Sequence, residues 1–221
     1  MTTLTNEPVA SLLDRLFTET DAEHPAADPV FAAIPDEERL RLMRSKTDYR
    51  HFYAELKAYG LPVSRDTGRL LYMLARSTGA RSIVEFGTSF GLSTLHLAAA
   101  LRDNGGGRLI TTEFEPSKVA RARANLTTGG LADLVDIREG DALDTLATDL
   151  PDTIDLLLLD GAKSLYLDVL GLVEGRLRPG AVIIADNADH CPEYLGHIRD
   201  SDHGYLSMPF TGEVELTVRL G

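Results

Sequence analysis

Residues 82–94 read SIVEFGTSFGLST. A short apolar run, Ile83 and Val84, ends in an acid, Glu85, and passes into a turn bounded by Gly87 and Gly91. Apolar residues then recur at Leu92, Leu95 and Ala98, the spacing of a helix face. A strand, a glycine turn and a helix in this order leave unpaired backbone N–H groups at the carboxyl edge of a sheet. A small polar ligand can sit there, and a side chain at Gly87 would hold it off the backbone.

The spacing Glu-x-Gly-x-x-x-Gly has one glycine fewer than the Gly-x-Gly-x-x-Gly dinucleotide fingerprint. It points to a nucleoside with a less anionic tail than a pyrophosphate, S-adenosylmethionine being one. The same turn also serves as plain punctuation between a strand and a helix.

Downstream the pattern alternates. Strands are expected at Ile83–Phe86, Arg108–Phe114, Leu134–Glu139, Ile154–Asp160 and Ala181–Asp186. Helices are expected between them at Leu92–Arg102, Ser117–Thr128, Ala142–Thr148 and Leu165–Arg176. Apolar strands separated by helices make a parallel sheet covered on both faces. After a short helix near Glu193–Arg199, the runs Gly204–Phe210 and Glu213–Leu220 flank Thr211-Gly212 as a hairpin.

Upstream, residues 1–80 read as helical. Val9–Thr18 has helix spacing, His24–Pro35 is a proline-rich bend, and Asp36 caps a helix running to about Tyr59. That helix is basic (Arg39, Arg41, Arg44, Lys46, Arg50) and carries Phe52 and Tyr53. Its aromatic face either covers a pocket or packs on the core or a second subunit. A third helix, Asp66–Ser77, leads into the first strand.

With 221 residues, 43% of them apolar, the chain suits one core plus a helical extension. Its net charge of −12 argues against a nucleic-acid partner. The single cysteine, Cys191, excludes an internal disulfide and suits a reducing cytoplasm. No signal peptide and no membrane-length apolar run are read.

In open α/β sheets ligands bind beyond the carboxyl ends of the strands. Every one of the five expected ends carries an acid: Glu85, Glu113, Asp141, Asp160 and Asp186-Asn187. Glu113 stands 22 residues beyond Gly91, where a carboxylate accepts from ribose hydroxyls, the alternative being a cap for the helix that opens at Pro116. Asp141 stands where an adenine amino group needs an acceptor, and is also a plain N-cap. Asp160, Asp186 and Asn187 offer oxygen donors suited to a hard cation such as Mg²⁺. Lys163 follows three residues after Asp160. Beside a divalent cation its pKa would fall, making it a proton acceptor.

VEFGTSFGLST, TTEFEP, EGDA, LLLLDGAKSLY and LRPGAVIIADN, in this order and spacing, resemble the class I S-adenosylmethionine-dependent O-methyltransferases. The similarity is greatest to the cation-dependent branch with catechol and caffeoyl-CoA O-methyltransferases, and covers about Val63–Gly221. It implies a Rossmann-like, doubly wound, mostly parallel seven-stranded sheet with an antiparallel C-terminal hairpin. Residues 1–62 become an N-terminal helical extension, a lid or a dimerisation element, and residues 63–221 the methyltransferase domain.

By the same resemblance, Glu85, Gly87 and Gly91 form the cofactor turn, Ser93 contacts the methionine carboxylate, Glu113 the ribose and Asp141 the adenine. Asp160, Asp186 and Asn187 ligate the metal, Asp160 also bordering the cofactor, and Lys163 is the general base. The substrate would be a small vicinal-dihydroxy aromatic and the enzyme a cytoplasmic homodimer. The chain lacks Trp, so an aromatic gate of the animal catechol enzymes has no direct counterpart. Glu213 is the nearest match to their rim glutamate. The alternatives are a metal-independent methyltransferase and a non-catalytic S-adenosylmethionine-binding module.

Overall fold

The computed structural model of the chain describes residues 2–23, 25, 29–210 and 212–221. Its frame is a sheet of seven strands. These are β1 (Ser82–Phe86), β2 (Arg108–Glu113), β3 (Val135–Glu139), β4 (Ile154–Leu159), β5 (Leu177–Ala185), β6 (Tyr205–Pro209) and β7 (Glu215–Arg219). Their spatial order is β3-β2-β1-β4-β5-β7-β6. The first five are mutually parallel, and β7 lies antiparallel between β5 and β6. This is the doubly wound sheet with a C-terminal hairpin that the alternation implies. Thr211, half of the expected turn, lies outside the described residues.

Successive strand residues point to opposite faces, and both faces here are apolar. Ile83, Leu109, Leu156, Leu158, Val182 and Ile184 enter one core, while Val84, Ile110, Leu157, Leu159 and Ile183 enter the other. Each such side chain contributes roughly 1.5–3 kcal/mol by leaving water, so both faces must be covered.

The helices are α1 (Val9–Ala22), α2 (Pro29–Ala32), α3 (Asp36–Met43), α4 (Tyr49–Glu55), α5 (Arg65–Ser77), α6 (Leu92–Asp103), α7 (Pro116–Thr128), α8 (Ala142–Thr145), α9 (Tyr166–Val173) and α10 (Pro192–Ile198). Side chains of α5, α6 and α7 cover the first face and those of α8, α9 and α10 the second. Every residue from Leu92 to Leu101 is buried, because α5 and α1 pack over the outer side of α6. Val9, Leu12, Leu13, Leu16 and Phe17 of α1 join that core.

The region before β1 departs from the sequence reading in one respect. The single helix expected from Asp36 to Tyr59 is two, α3 and α4, broken at residues 44–48. Ser45 Oγ accepts from the Asp48 N–H at 2.9 Å and the Thr47 N–H at 3.3 Å. A hydroxyl that takes backbone donors for itself competes with the helix ladder. Asp36 is the first residue of α3 rather than its cap, which is Pro35. The expected His24–Pro35 bend falls partly outside the described residues.

At other boundaries the differences are small. The α-helical part of α9 is shorter than expected, with 3-10 turns at Lys163–Leu165 and Glu174–Arg176. The last parallel strand begins at Leu177 instead of Ala181, since Pro179-Gly180 interrupts its apolar pattern without ending it.

Between α5 and α6 the backbone approach is close. A Cβ at Gly68 would lie 2.7 Å from the His96 ring, and that ring stands edge-on to Phe17 at 6.1 Å. His96 Nδ1 bonds the Leu92 carbonyl at 2.8 Å. Burial lowers its pKa to about 4, against the opposing pull of that carbonyl. The unfolded chain therefore takes up a proton near pH 6.5 that the native core refuses. Stability present above pH 6.5 should fall by about 1.4 kcal/mol per pH unit down to about pH 4. Urea titrations across this range should show that slope in the wild type and a flatter one in His96→Gln.

Candidate active site

Hydrogen bonds that run one residue past the strands hold their carboxyl ends level. The Thr88 N–H donates to the Thr112 carbonyl at 3.0 Å, Asp160 to Phe86 at 2.8 Å, Asp186 to Leu159 at 2.9 Å, and Gly140 to Glu113 at 3.0 Å. The expected strand-end acids therefore stand along one edge, in the order Asp141, Glu113, Glu85, Asp160, Asp186. The topological switch, where the strand order reverses, falls between β1 and β4.

Two cavities open over this edge. Gly87, Ser89, Glu113, Lys118 and Asp141 line the first. The second, of about 760 Å³, is lined by Lys163, Asp186 and Asn187 and by an aromatic wall that includes Phe17 and Phe52. Asp160, Gly161, Tyr53 and Leu61 border both. Tyr49 and Tyr53 of α4 line the first cavity and Phe52 and Tyr53 the second, while Tyr49 also packs in the core of the second face.

Gly87 is required for a different reason than the sequence suggests. Its φ is +106°, and a Cβ there would lie 2.5 Å from the Asp160 carbonyl oxygen. The neighbouring backbone of β4 excludes a side chain before any ligand does. At Gly91 (φ +86°) the nearest atom to a Cβ is 3.5 Å away, so only the left-handed conformation demands glycine. Ser89 is also left-handed, with φ 48°. Its buried hydroxyl has no hydrogen-bond partner among the described residues.

Glu85 and Ser93 face each other. The Ser93 and Thr94 hydroxyls each donate to the Glu85 carboxylate at 2.6 Å, and Glu85 is fully buried. Burial pushes its pKa up, while the hydroxyls of Ser93, Thr111 and Thr94 pull it down. Neither side chain lies on the wall of the first cavity. Ser93, expected at the methionine carboxylate, spends its proton on Glu85.

Glu113 accepts from the Ser89 N–H at 2.9 Å and the Glu115 N–H at 3.0 Å. The cap of α7 is Glu115, bonding the Ser117 N–H at 3.3 Å, so the capping role open to Glu113 is taken by its neighbour. Burial pushes the Glu113 carboxyl up. Lys118, which the sequence reading passed over, is 4% exposed in the same cavity, and burial lowers its pKa. One turn beyond Glu115 on α7, its spacing marked it as helical and nothing in the motif marked it as inward.

Asp141 is more committed than expected. It caps α8 through the Leu143 N–H at 2.8 Å. Its other oxygen accepts from the Tyr49 hydroxyl and from Arg50 Nε at 2.8 Å. Burial raises its pKa, but the bonds from Tyr49, Leu143 and Arg50 outweigh that and the net direction is down. Asp141 thereby fastens α4 to the edge of the sheet.

At the second cavity, Lys163 Nζ donates to Asp160 Oδ1 at 3.2 Å, to the Tyr166 hydroxyl at 2.8 Å and to the Asp186 carbonyl at 3.3 Å. Burial alone would lower its pKa, but Asp160, Tyr53 and Asp186 carry it above the ordinary lysine value. The lowered pKa expected of this lysine is one for the state with a divalent cation beside it; this direction comes from the protein's own groups alone. The protein's own charges favour the ammonium, and Lys163 can act as a base only when the charge of Asp160 is engaged elsewhere.

Asp186 is pushed up to about 7, by burial first and then by Asp160. Burial also raises Asp160 against the pull of Lys163. Two buried carboxylates thus share one ammonium. Among the described residues no three His, Cys, Asp or Glu side chains converge as a metal cluster; a third donor would have to be the Asn187 amide. Asn187 is left-handed (φ 51°), and its Nδ2 is 3.5 Å from Glu213 Oε2. Tyr166, within the quoted LLLLDGAKSLY motif, is buried and donates to the Asp186 carbonyl at 2.7 Å.

Comparison with known proteins adds to this geometry. A family model described as a methyltransferase domain matches residues 84–188. The chain is 36% identical over 137 residues to a catechol O-methyltransferase of Niastella koreensis, a span of 61% of either protein. It is 35% identical over 142 residues to a catechol O-methyltransferase of Mycobacterium tuberculosis, 64% of either. The matched region is therefore less than two thirds of the length of these curated relatives. Among solved structures, the O-methyltransferase TomG of Streptomyces achromogenes, determined in complex with SAM, is similar with a TM-score of 0.63 at 25% identity. The similarity covers 90% of this chain and 98% of that one. Among the described residues, no helix is long and apolar enough to cross a membrane.

Two predictions concern the frame of the site. Gly87→Ala should lower unfolding stability by roughly 2–4 kcal/mol, since strain and a backbone clash coincide, and Gly91→Ala by about half as much; chemical denaturation ranks them. The double change Tyr49→Phe with Arg50→Ala should speed amide exchange in α4 by about tenfold, as a buried carboxylate loses its side-chain donors. Exchange in α6 should stay as it was.

Proposed function

From the premise that this chain belongs to the class I O-methyltransferase family that includes the catechol enzymes, we propose that it moves a methyl group from S-adenosylmethionine to a hydroxyl of a small catechol-like aromatic, with a divalent cation at the acceptor side. The observation that carries this reading is Asp160, the one carboxylate bordering both cavities. A donor on one side of it and an acceptor on the other would meet within reach of transfer.

The walls suit these groups. Glu113 offers a buried carboxylate for ribose hydroxyls, and Ser89 a buried hydroxyl with no partner among the described residues. Asp160 and Asp186 with the Asn187 amide are hard oxygen donors bearing more negative charge than Lys163 balances, as a cation such as Mg²⁺ needs. When bound, S-adenosylmethionine supplies a methyl group on a positive sulfur, and the cation supplies charge beside the substrate oxygens.

The chain's own residues do the rest. A phenol with a pKa of about 10 is a weak nucleophile at neutral pH. Lys163 Nζ would take its proton once Asp160 is engaged, and the Tyr166 hydroxyl and Asp186 carbonyl hold that nitrogen in place. Residues 1–62 act as a lid: Tyr53 and Leu61 border both cavities and exclude water from the junction.

The Lys163–Asp160 ion pair favours a second reading, a metal-independent methyltransferase in which Asp160 only anchors the lysine. Methyl transfer from S-adenosylmethionine to catechol, measured with Mg²⁺ and with EDTA, separates the two. EDTA should abolish turnover. Asp160→Ala should remove metal-dependent activity yet leave cofactor binding nearly intact, whereas Glu113→Ala should weaken cofactor binding. Full activity of Asp160→Ala in EDTA would end the cation reading.

A further inference from the structure

The second cavity is far larger than its proposed chemistry needs. Its volume of about 760 Å³ lies within the roughly 300–1,000 Å³ that holds a drug-sized ligand, several times the space of one dihydroxybenzene ring. The polar groups that would handle the reacting hydroxyls gather at one end: Asp160, Lys163, Asp186 and Asn187. Away from them one stretch of the wall is apolar and mostly aromatic, formed by Phe17, Phe31, Met43, Phe52, Tyr53 and Leu56, with charged residues along the rest. Phe52 stands edge-on to Tyr53 at 5.1 Å and tilted to Phe31 at 6.1 Å. A flat ring can lie against such faces at a gain beyond area alone.

The charges around this wall are one-sided. Of the cations among its described residues, Lys163 is paired with Asp160 at 3.2 Å, Arg69 with Asp66 at 3.4 Å and Arg65 with Asp14 at 3.0 Å. Arg65 also lies 4.5 Å over the Phe17 ring, which holds it to the wall. Asp21 and Glu23 line the cavity too, and neither is in an ion pair with a described residue. A carboxylate or phosphate in this space would meet Asp21, Glu23, Asp66, Asp160 and Asp186 against three cations that each already face an acid. The net charge of −12 works in the same direction.

We infer that the acceptor is an uncharged catechol carrying at least one further apolar ring, seated on the Phe31–Phe52–Tyr53 wall, and not an aromatic acid or an acyl-CoA. This rests on the reading of the site given above and narrows its substrate class.

The test compares catechol, 4-phenylcatechol and its distal-ring carboxylate as methyl acceptors of the wild-type protein with Mg²⁺. Alongside, calorimetry measures binding of the dimethyl ethers of the two biphenyl compounds, which have no hydroxyl to methylate. We expect kcat/KM for 4-phenylcatechol to exceed that for catechol by about tenfold or more, chiefly through KM, and the carboxylate to fall about tenfold below the neutral compound. The neutral ether should bind and the carboxylate ether should not. Met43→Trp, which narrows the apolar end, should cut the preference for 4-phenylcatechol over catechol about tenfold, and Met43→Leu should keep it.

Equal rates for catechol and 4-phenylcatechol, or a carboxylate or acyl-CoA catechol preferred over the neutral one, would overturn the inference. If no catechol is methylated, the catalytic reading falls, and the ether binding alone decides the cavity. Selective binding of the neutral ether then sustains the inference, and its absence ends it.

Discussion

The backbone of Gly87 lies so close to Asp160 that no side chain fits between them, and the rest of the site depends on that contact. It joins the ends of β1 and β4, the two strands at which the order of the sheet reverses. The ladder bonds from Asp160 to Phe86 and from Asp186 to Leu159 carry the same alignment one strand further. Acids separated by some 25 residues of chain thereby come to one edge. The two cavities share Asp160 as a wall because this alignment leaves it nowhere else to go.

Charge follows from that placement. Among the described residues no cation pairs with Glu85, which is held by hydroxyls from the first turn of α6. As a buried acceptor it ties the glycine turn to the helix behind it. Asp160 pairs with the Lys163 ammonium, and burial raises the pKa of both Asp160 and Asp186, the charge of Asp160 adding to the rise at Asp186. Burying two carboxyls beside one another costs stability unless protonation or a positive group offsets their charge.

The segment before β1 gives the site its depth. α1 is part of the main core through Leu12, Leu16 and Phe17, and Phe17 also reaches the large cavity. α4 is fastened at Asp141 by Tyr49 and Arg50, and at α9 by the bond from Ser164 to the Ser45 carbonyl and the ion pair of Lys46 with Asp168. Of the basic residues that stand out in this segment, Arg39, Arg41, Lys46 and Arg50 are paired with acids of the protein itself.

The alternation of apolar strands and helices determined the sheet, its direction and its C-terminal hairpin, because burying both faces of a parallel sheet leaves a local signature in every strand. The same signature located the acids, since a strand's end can be read from where its apolar run stops. Sequence could not say which atoms those acids meet. Ser93 turns to Glu85, Asp141 is taken by α4, Lys163 is held as an ammonium, and Gly87 answers to Asp160. Each outcome is set by a partner distant along the chain, and the break of the Asp36–Tyr59 helix by a hydroxyl that outcompetes the ladder. Pattern encodes what each element must bury. Only the tertiary structure decides which polar groups share the space left over, because hydrogen bonds and charges act across a few ångströms and carry no period along the chain.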